Sequence, residues 1–199
     1  MGLSAVTQTG GRWHAHGVGS RSIDDSLEVV VADASEIPQV LDMLNKAASW
    51  LTACAIRQWP ASFTAAMVEP GIRAGETWLA RQGGELVGTV TLSWSDPAWP
   101  EAVDDAGYVH RLAVPRRGTE QGQRLLGWAA QQVTDRGRSH LRLDCVATNG
   151  ELRGYYERLG FAYCGDTELF GTPGQRLSTG TPTLVSLFEL AVSGPRPPT

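Results

Sequence analysis

Lysine is all but missing from this chain: Lys46 stands alone beside 16 arginines, a skew that reads as compositional bias. Positive charge is scarce overall. Seventeen basic residues against 21 acidic ones leave a net charge of −4 and a pI near 5.6. Nucleic acid is therefore excluded as a main partner, since binding a phosphate backbone needs clustered Lys and Arg. Cysteine is also sparse. Cys54, Cys145 and Cys164 are too few, and odd in number, for a disulfide framework. Each lies in an apolar stretch, so all three are expected as buried free thiols in a reducing cytosol. No apolar run approaches the ~20 residues of a membrane span. No apolar signal core stands near the N-terminus, so no membrane association and a cytoplasmic location are expected.

What is present suits one globular domain. The 199 residues are 42% hydrophobic, enough to bury a substantial core. Residues 1–26 are rich in Gly, Ser and Thr without periodicity and read as a flexible arm. His14 and His16 flank Ala15 there, but two histidines without further ligands nearby read as a solvated tail. Residues 193–199 form a Pro-rich tail, leaving 27–192 as the folded domain.

Within it, strands and helices alternate. Leu27–Ala32 reads as a strand. Asp33 or Ser35 then caps a helix with apolar residues at Ile37, Val40, Leu41, Leu44, Ala48 and Leu51. Ser62 is expected to cap a second helix running to about Val68. Thr77–Arg81 and Glu85–Trp94 flank Gly83–Gly84, a hairpin signal. Ser95–Asp105 reads as a loop with solvated carboxylates at Glu101, Asp104 and Asp105. Gly107–Val114 is a strand. Glu120–Asp135 is a strongly amphipathic helix through Leu125, Leu126, Ala129, Ala130 and Val133. His140–Val146 is a strand, Glu151–Leu159 a short helix stopped by Gly160, and Phe161–Leu169 and Leu184–Val192 the closing strands. The class is α/β (α+β): a mixed, mostly antiparallel sheet of about seven strands with helices on both faces.

The stretch from Val109 to Phe161 carries the chemical signal. A strand ends in Leu112-Ala113-Val114, a turn containing Gly118 and Gly122 follows, and a helix begins. Unpaired N–H groups at such a helix start favour a phosphate or pyrophosphate, and Arg116, Arg117 and Arg124 add positive charge. Downstream stand Asn149 and then Tyr156-Glu157-Arg158-Leu159-Gly160-Phe161. In order and spacing these pieces, with Leu125-Leu126 and the GGELVGTVTL hairpin at 83–92, resemble the GNAT superfamily of acetyl-CoA-dependent N-acetyltransferases. The resemblance spans residues 27–192. Glu120 departs from it, standing where that family usually has Gly.

The resemblance implies acetyl-CoA as donor, with no metal. Backbone groups of Leu112 and Val114 would pair with the pantetheine arm, and Arg117, Gly118, Thr119, Gln121, Gly122 and Gln123 would hold the pyrophosphate. Asn149 would order the cofactor or cap its helix. Tyr156 would be the general acid, against the alternative of a packing tyrosine; Tyr155 faces about a hundred degrees away. His110 is a candidate base, against the alternative of a core histidine. Strand alternation places His110, Leu112 and Val114 on one face. Asp144 would orient the amine or pair with Arg142 or Arg111. Of the seven tryptophans, Trp50, Trp59, Trp78, Trp94 and Trp99 fall in the half that builds the acceptor pocket in that family. Most are expected in the core, with one or two walling the acceptor site. The expected activity is acetyl transfer to a small-molecule amine. A peptide or protein amine is the first alternative, and a binding module without turnover, suggested by Glu120, the second. Edge strands of such sheets make a homodimer possible.

Overall fold

The computed structural model describes residues 26–99, 105–115, 120–172, 175–176 and 182–192. The expected arm apart from Ser26, the Pro-rich tail, Glu101, Asp104 and the loop residues Arg116, Arg117, Gly118 and Thr119 lie outside the described residues.

β1 (Leu27–Val31) leads into a single 3-10 turn, Ala34–Glu36. Asp33 caps that turn: its Oδ1 accepts the Ser35 N–H at 2.7 Å, while Glu36 accepts the Asp33 N–H at 3.0 Å. α1 (Ile37–Ala53) follows with Pro38 in its first turn, where the missing N–H costs no bond. α2 spans Ala65–Arg73 and not 62–68 as the sequence suggests. It starts after Thr64 and runs through Pro70, because Val68 and Ile72 are both buried against α1 and that burial offsets the bond proline removes. β2 (Thr77–Gln82) and β3 (Glu85–Ser93) form the expected hairpin. Gly83 and Gly84 turn it at φ of 57° and 81°, values that favour glycine. Then come β4 (Ala106–Ala113), α3 (Gln121–Asp135), β5 (His140–Val146), α4 (Gly150–Arg158), β6 (Ala162–Thr172), the two-residue β7 (Gln175–Arg176) and β8 (Pro182–Ala191).

The strands lie in the order β1-β2-β3-β4-β5-β8-β6-β7. Every pairing is antiparallel except β4 with β5. Seven long strands with helices on both faces match the class read from the sequence. Strand alternation divides the core: Leu79 packs with α1 and α2 on one face, while its neighbour Ala80 packs with α3 on the other. The α3 face holds Leu125, Leu126, Ala129, Val133, Leu141, Leu143 and Phe188. No helix among the described residues is long and apolar enough to cross a membrane.

Two sequence expectations are corrected here. Only Cys145 is buried; Cys54 and Cys164 are exposed, because the first lies at the frayed end of α1 and the second on a solvent-facing stretch of β6. Asp105 is not a purely solvated loop carboxylate, since its Oδ1 accepts the Ser139 N–H at 2.9 Å and ties the start of β4 to the start of β5. Burial pushes its carboxyl up, but the Ser139 bonds and His140 outweigh that and hold it below its ordinary value.

Candidate active site

β4 and β5 run side by side only from Ala106↔His140 to Val109↔Leu143. Beyond that point the two strands diverge, although β4 continues to Ala113 and β5 to Val146. The β4–β5 ladder therefore does not extend over residues 110–113. A cleft of about 1080 Å³ fills the gap. Its lining comes from both faces of the sheet: Lys46, Trp50 and Trp59 from the α1 side, and Gly122, Tyr155 and Tyr156 from the α3–α4 side. The cleft therefore passes through the sheet.

A bulge sets which side chains reach it. Thr91 pairs with His110 and Thr89 with Ala113, so β4 carries one residue more than β3 over that interval. Arg111 absorbs the extra residue at φ 50°, in the left-handed region. This corrects the expectation that His110, Leu112 and Val114 share a face. Val109, Leu112 and Val114 pack toward α3, whereas Ala113 packs toward α1. His110, alternating with Val109, points to the α1 side. Burial pushes the Arg111 guanidinium below its ordinary value.

On that same side, Asp144 of β5 and Asp96 of the loop after β3 approach His110. One ligating atom from each lies within 4.8 Å of the others. His110 Nε2 is 3.5 Å from Asp96 Oδ2. One imidazole and two carboxylates at this spacing suit a shared proton or a bound ammonium group. Of the partners weighed for Asp144, Arg142 gives its guanidinium to Glu189 at 2.6 Å and to the Tyr108 hydroxyl at 3.3 Å.

On the far side of the sheet, α4 carries Tyr155 and Tyr156 into the cleft. Asn149 caps this helix, its Oδ1 accepting the Leu152 N–H at 3.2 Å, and lines the cleft as well. The Tyr156 ring packs 5.6 Å from Phe188 and 5.8 Å from Phe161. Burial pushes its phenol well above the ordinary tyrosine value, and Cys145, Asp144 and Tyr155 act in the same direction. Gly122 sits in the first turn of α3, where a Cβ would meet the Tyr155 hydroxyl at 3.1 Å. Gln121, Gly122 and Gln123 present the N–H groups that α3 cannot bond internally. Glu120, the residue before them, is exposed and makes no side-chain cap.

Acetyl-CoA fits this arrangement on geometry: an unladdered strand edge, a sheet gap of adequate volume and a helix start free of a side chain at Gly122. Of the tryptophans assigned to the acceptor half, Trp50 and Trp59 line the cleft. Trp78 instead stacks on Trp128 at 4.8 Å, and Trp94 and Trp99 lie under Arg136 and Arg142. Sequence reasoning missed Asp96 and Gln58, and weighed Arg111 only as a partner for Asp144. Gln58 is buried, lines the cleft and accepts the Val146 N–H at 3.0 Å. The one available signal for Asp96 was Asp-Pro, a turn-forming pair.

The sequence profile of the Acetyltransferase (GNAT) family matches residues 44–161. An uncharacterized N-acetyltransferase of Bacillus subtilis, YesJ, is 27% identical over 157 residues, covering 73% of this chain and 87% of that protein. Streptothricin acetyltransferase of Streptomyces lavendulae is 33% identical over 90 residues, 44% of each chain. Among solved structures, a GNAT-family acetyltransferase from Listeria monocytogenes superposes with a TM-score of 0.64 at 22% identity, covering 83% of this chain and 94% of that one. A Salmonella typhimurium putative acetyltransferase, solved with its cofactor acetyl-CoA, gives 0.60 at 12% identity, covering 87% and 98%.

Proposed function

Because the chain belongs to the GNAT family of acetyltransferases and works with acetyl-CoA, we propose that it acetylates a primary amine of a small molecule. Transfer is direct, with donor and acceptor bound together. The observation that carries this reading is the cleft in the sheet, lined from both the α3–α4 and the α1 sides. The donor enters over Gly122, with the N–H groups at the start of α3 meeting its pyrophosphate. Arg117, Gly118 and Thr119 complete that loop by resemblance. The edge of β4 at Leu112 and Val114 aligns the pantetheine arm, and Asn149 holds the start of α4 beside it. The acceptor enters past Trp50 and Trp59, and Asp144 draws in its ammonium group.

Acetyl-CoA supplies a thioester whose acetyl carbon is open to attack by a neutral amine. His110 takes the proton whose loss turns the bound ammonium into the neutral amine. The second proton, lost as the N–C bond forms and the C–S bond breaks, leaves to solvent and balances the one that Tyr156 gives the thiolate. Tyr156 donates its phenolic proton to the departing thiolate. Burial keeps the phenol in the protonated form that a donor needs, while making it a weaker acid than an exposed tyrosine. The two carboxylates beside His110 favour a cationic acceptor over a neutral one. The name of the streptothricin relative points the same way over the part of the chain it shares.

The test pairs calorimetric acetyl-CoA binding with thiol release across polyamines, aminoglycosides and short peptides. Binding in the micromolar range with turnover of a small polyamine or aminoglycoside is expected. Turnover of peptides alone would move the acceptor to the protein class.

A further inference from the structure

The β3–β4 loop buries a carboxylate to which the proton transfers described so far assign no step. The Asp96 side chain is only 3% exposed, on the sheet face shared with α1. Its Oδ1 accepts the Ala98 N–H at 2.8 Å, and Oδ2 lies 3.5 Å from His110 Nε2. The turn at Ala98 does not require a charge, since a neutral acceptor such as Asn or Ser forms the same bond. A buried carboxylate is costly unless its charge is met. An imidazole that can become positive lies within reach of it.

We propose that Asp96 is a positioning residue for His110. This rests on the reading of His110 as the base. Asp96 holds Nε2 as the protonated nitrogen, which leaves the lone pair on Nδ1 for the proton of the amine. When that proton arrives, the imidazolium carries both hydrogens and Asp96 remains ionised, lowering the cost of the new charge. Asp144 of β5 adds a second negative charge nearby. Arg111 and Lys46 line the same cleft, Lys46 with its Nζ paired to Asp42 at 2.6 Å, and Tyr156 faces it as a neutral phenol. Thr91, the residue paired with His110 on β3, is uncharged.

The experiment is an NMR titration of the His110 ring in the full chain, in chelator-treated buffer. His110→Gln assigns its signal among the four histidines. Wild type is compared with Asp96→Asn, which keeps the acceptor for Ala98 and loses only the charge. Asp96→Ser does the same through a hydroxyl and covers the case in which the Asn variant does not fold. The His110 pKa is expected to fall by about one unit in either variant. With an amine from the screen above, the acid limb of kcat/KM should move to lower pH by the same amount, with KM for acetyl-CoA unchanged. An unmoved ring titration overturns the proposal. A ring shift without a matching limb shift also overturns it, because His110 is then not the base, although acetyl transfer itself would stand. Absence of acetyl-CoA binding by the wild type would instead bring down the functional reading beneath it.

Discussion

Two adjacent tyrosines separate packing from chemistry at the scale of single residues. Both line the cleft, and their rings lie 5.7 Å apart. Tyr155 sets its hydroxyl against Gly122 at the start of α3, on the cofactor side. Tyr156 packs its ring on Phe161 and Phe188, so its phenyl body is structural and only its oxygen is left for the reaction. Tyr156→Phe keeps that body. It is expected to lower kcat about 100-fold, the loss typical of removing a proton donor, with KM for acetyl-CoA unchanged. Melting temperature should move by no more than about 2 °C. Tyr155→Phe is expected to act on KM for acetyl-CoA and spare kcat. A kcat unaffected by Tyr156→Phe, with turnover intact, would return that residue to a packing role.

At the scale of elements, the decisive object is β4. Its first half is locked under α3, and its second half is released by the bulge. Gly107 makes the locked half possible. A Cβ there would lie 2.5 Å from Val133 Cγ2 and within 3.3 Å of Trp94 and Leu92. Gly107→Ala is expected to destabilise by about 1–3 kcal/mol through overpacking, read as a lower urea midpoint with an unchanged m-value. Gly127→Ala is the control: it lies within α3 with nothing near its would-be Cβ, and should stabilise by up to about 1 kcal/mol. Equal midpoints for the two variants would contradict the close packing of α3 on β4. The same strand shows where sequence is legible and where it is not. The apolar spacing of α3 announced its buried face residue by residue, because a helix pattern repeats locally. The sequence GYVHRLAV gives no sign of a bulge, because the extra residue is defined by register against β3. Asp96 was hidden for a related reason: its partner is on the next strand and its loop reads as polar surface. α2 ran past its proline because long-range burial against α1 overrode a local stop signal.

At the scale of the whole molecule, the proposed function makes the sheet itself the partition between two substrates. The cleft is lined from both faces, and its described lining contains no cysteine. Cys145, on β5 beside Asp144, is buried in the α3-side core. Burial pushes its thiol up to about 12, with the Asp144 charge adding to the effect. A thiol so far above neutral pH supplies little thiolate and is poorly suited to relay the acetyl group as a nucleophile. On the direct transfer proposed above, donor and acceptor meet in the gap between β4 and β5 while both are bound. Double-reciprocal plots against acetyl-CoA at several fixed amine concentrations should intersect, and mass spectrometry of the enzyme with acetyl-CoA alone should show no acetyl adduct. Cys145→Ala should keep intersecting plots and most of its kcat. Parallel lines together with an adduct lost in Cys145→Ala would replace direct transfer with a covalent relay, and would require the β5 strand to expose a thiol that it now keeps in the core.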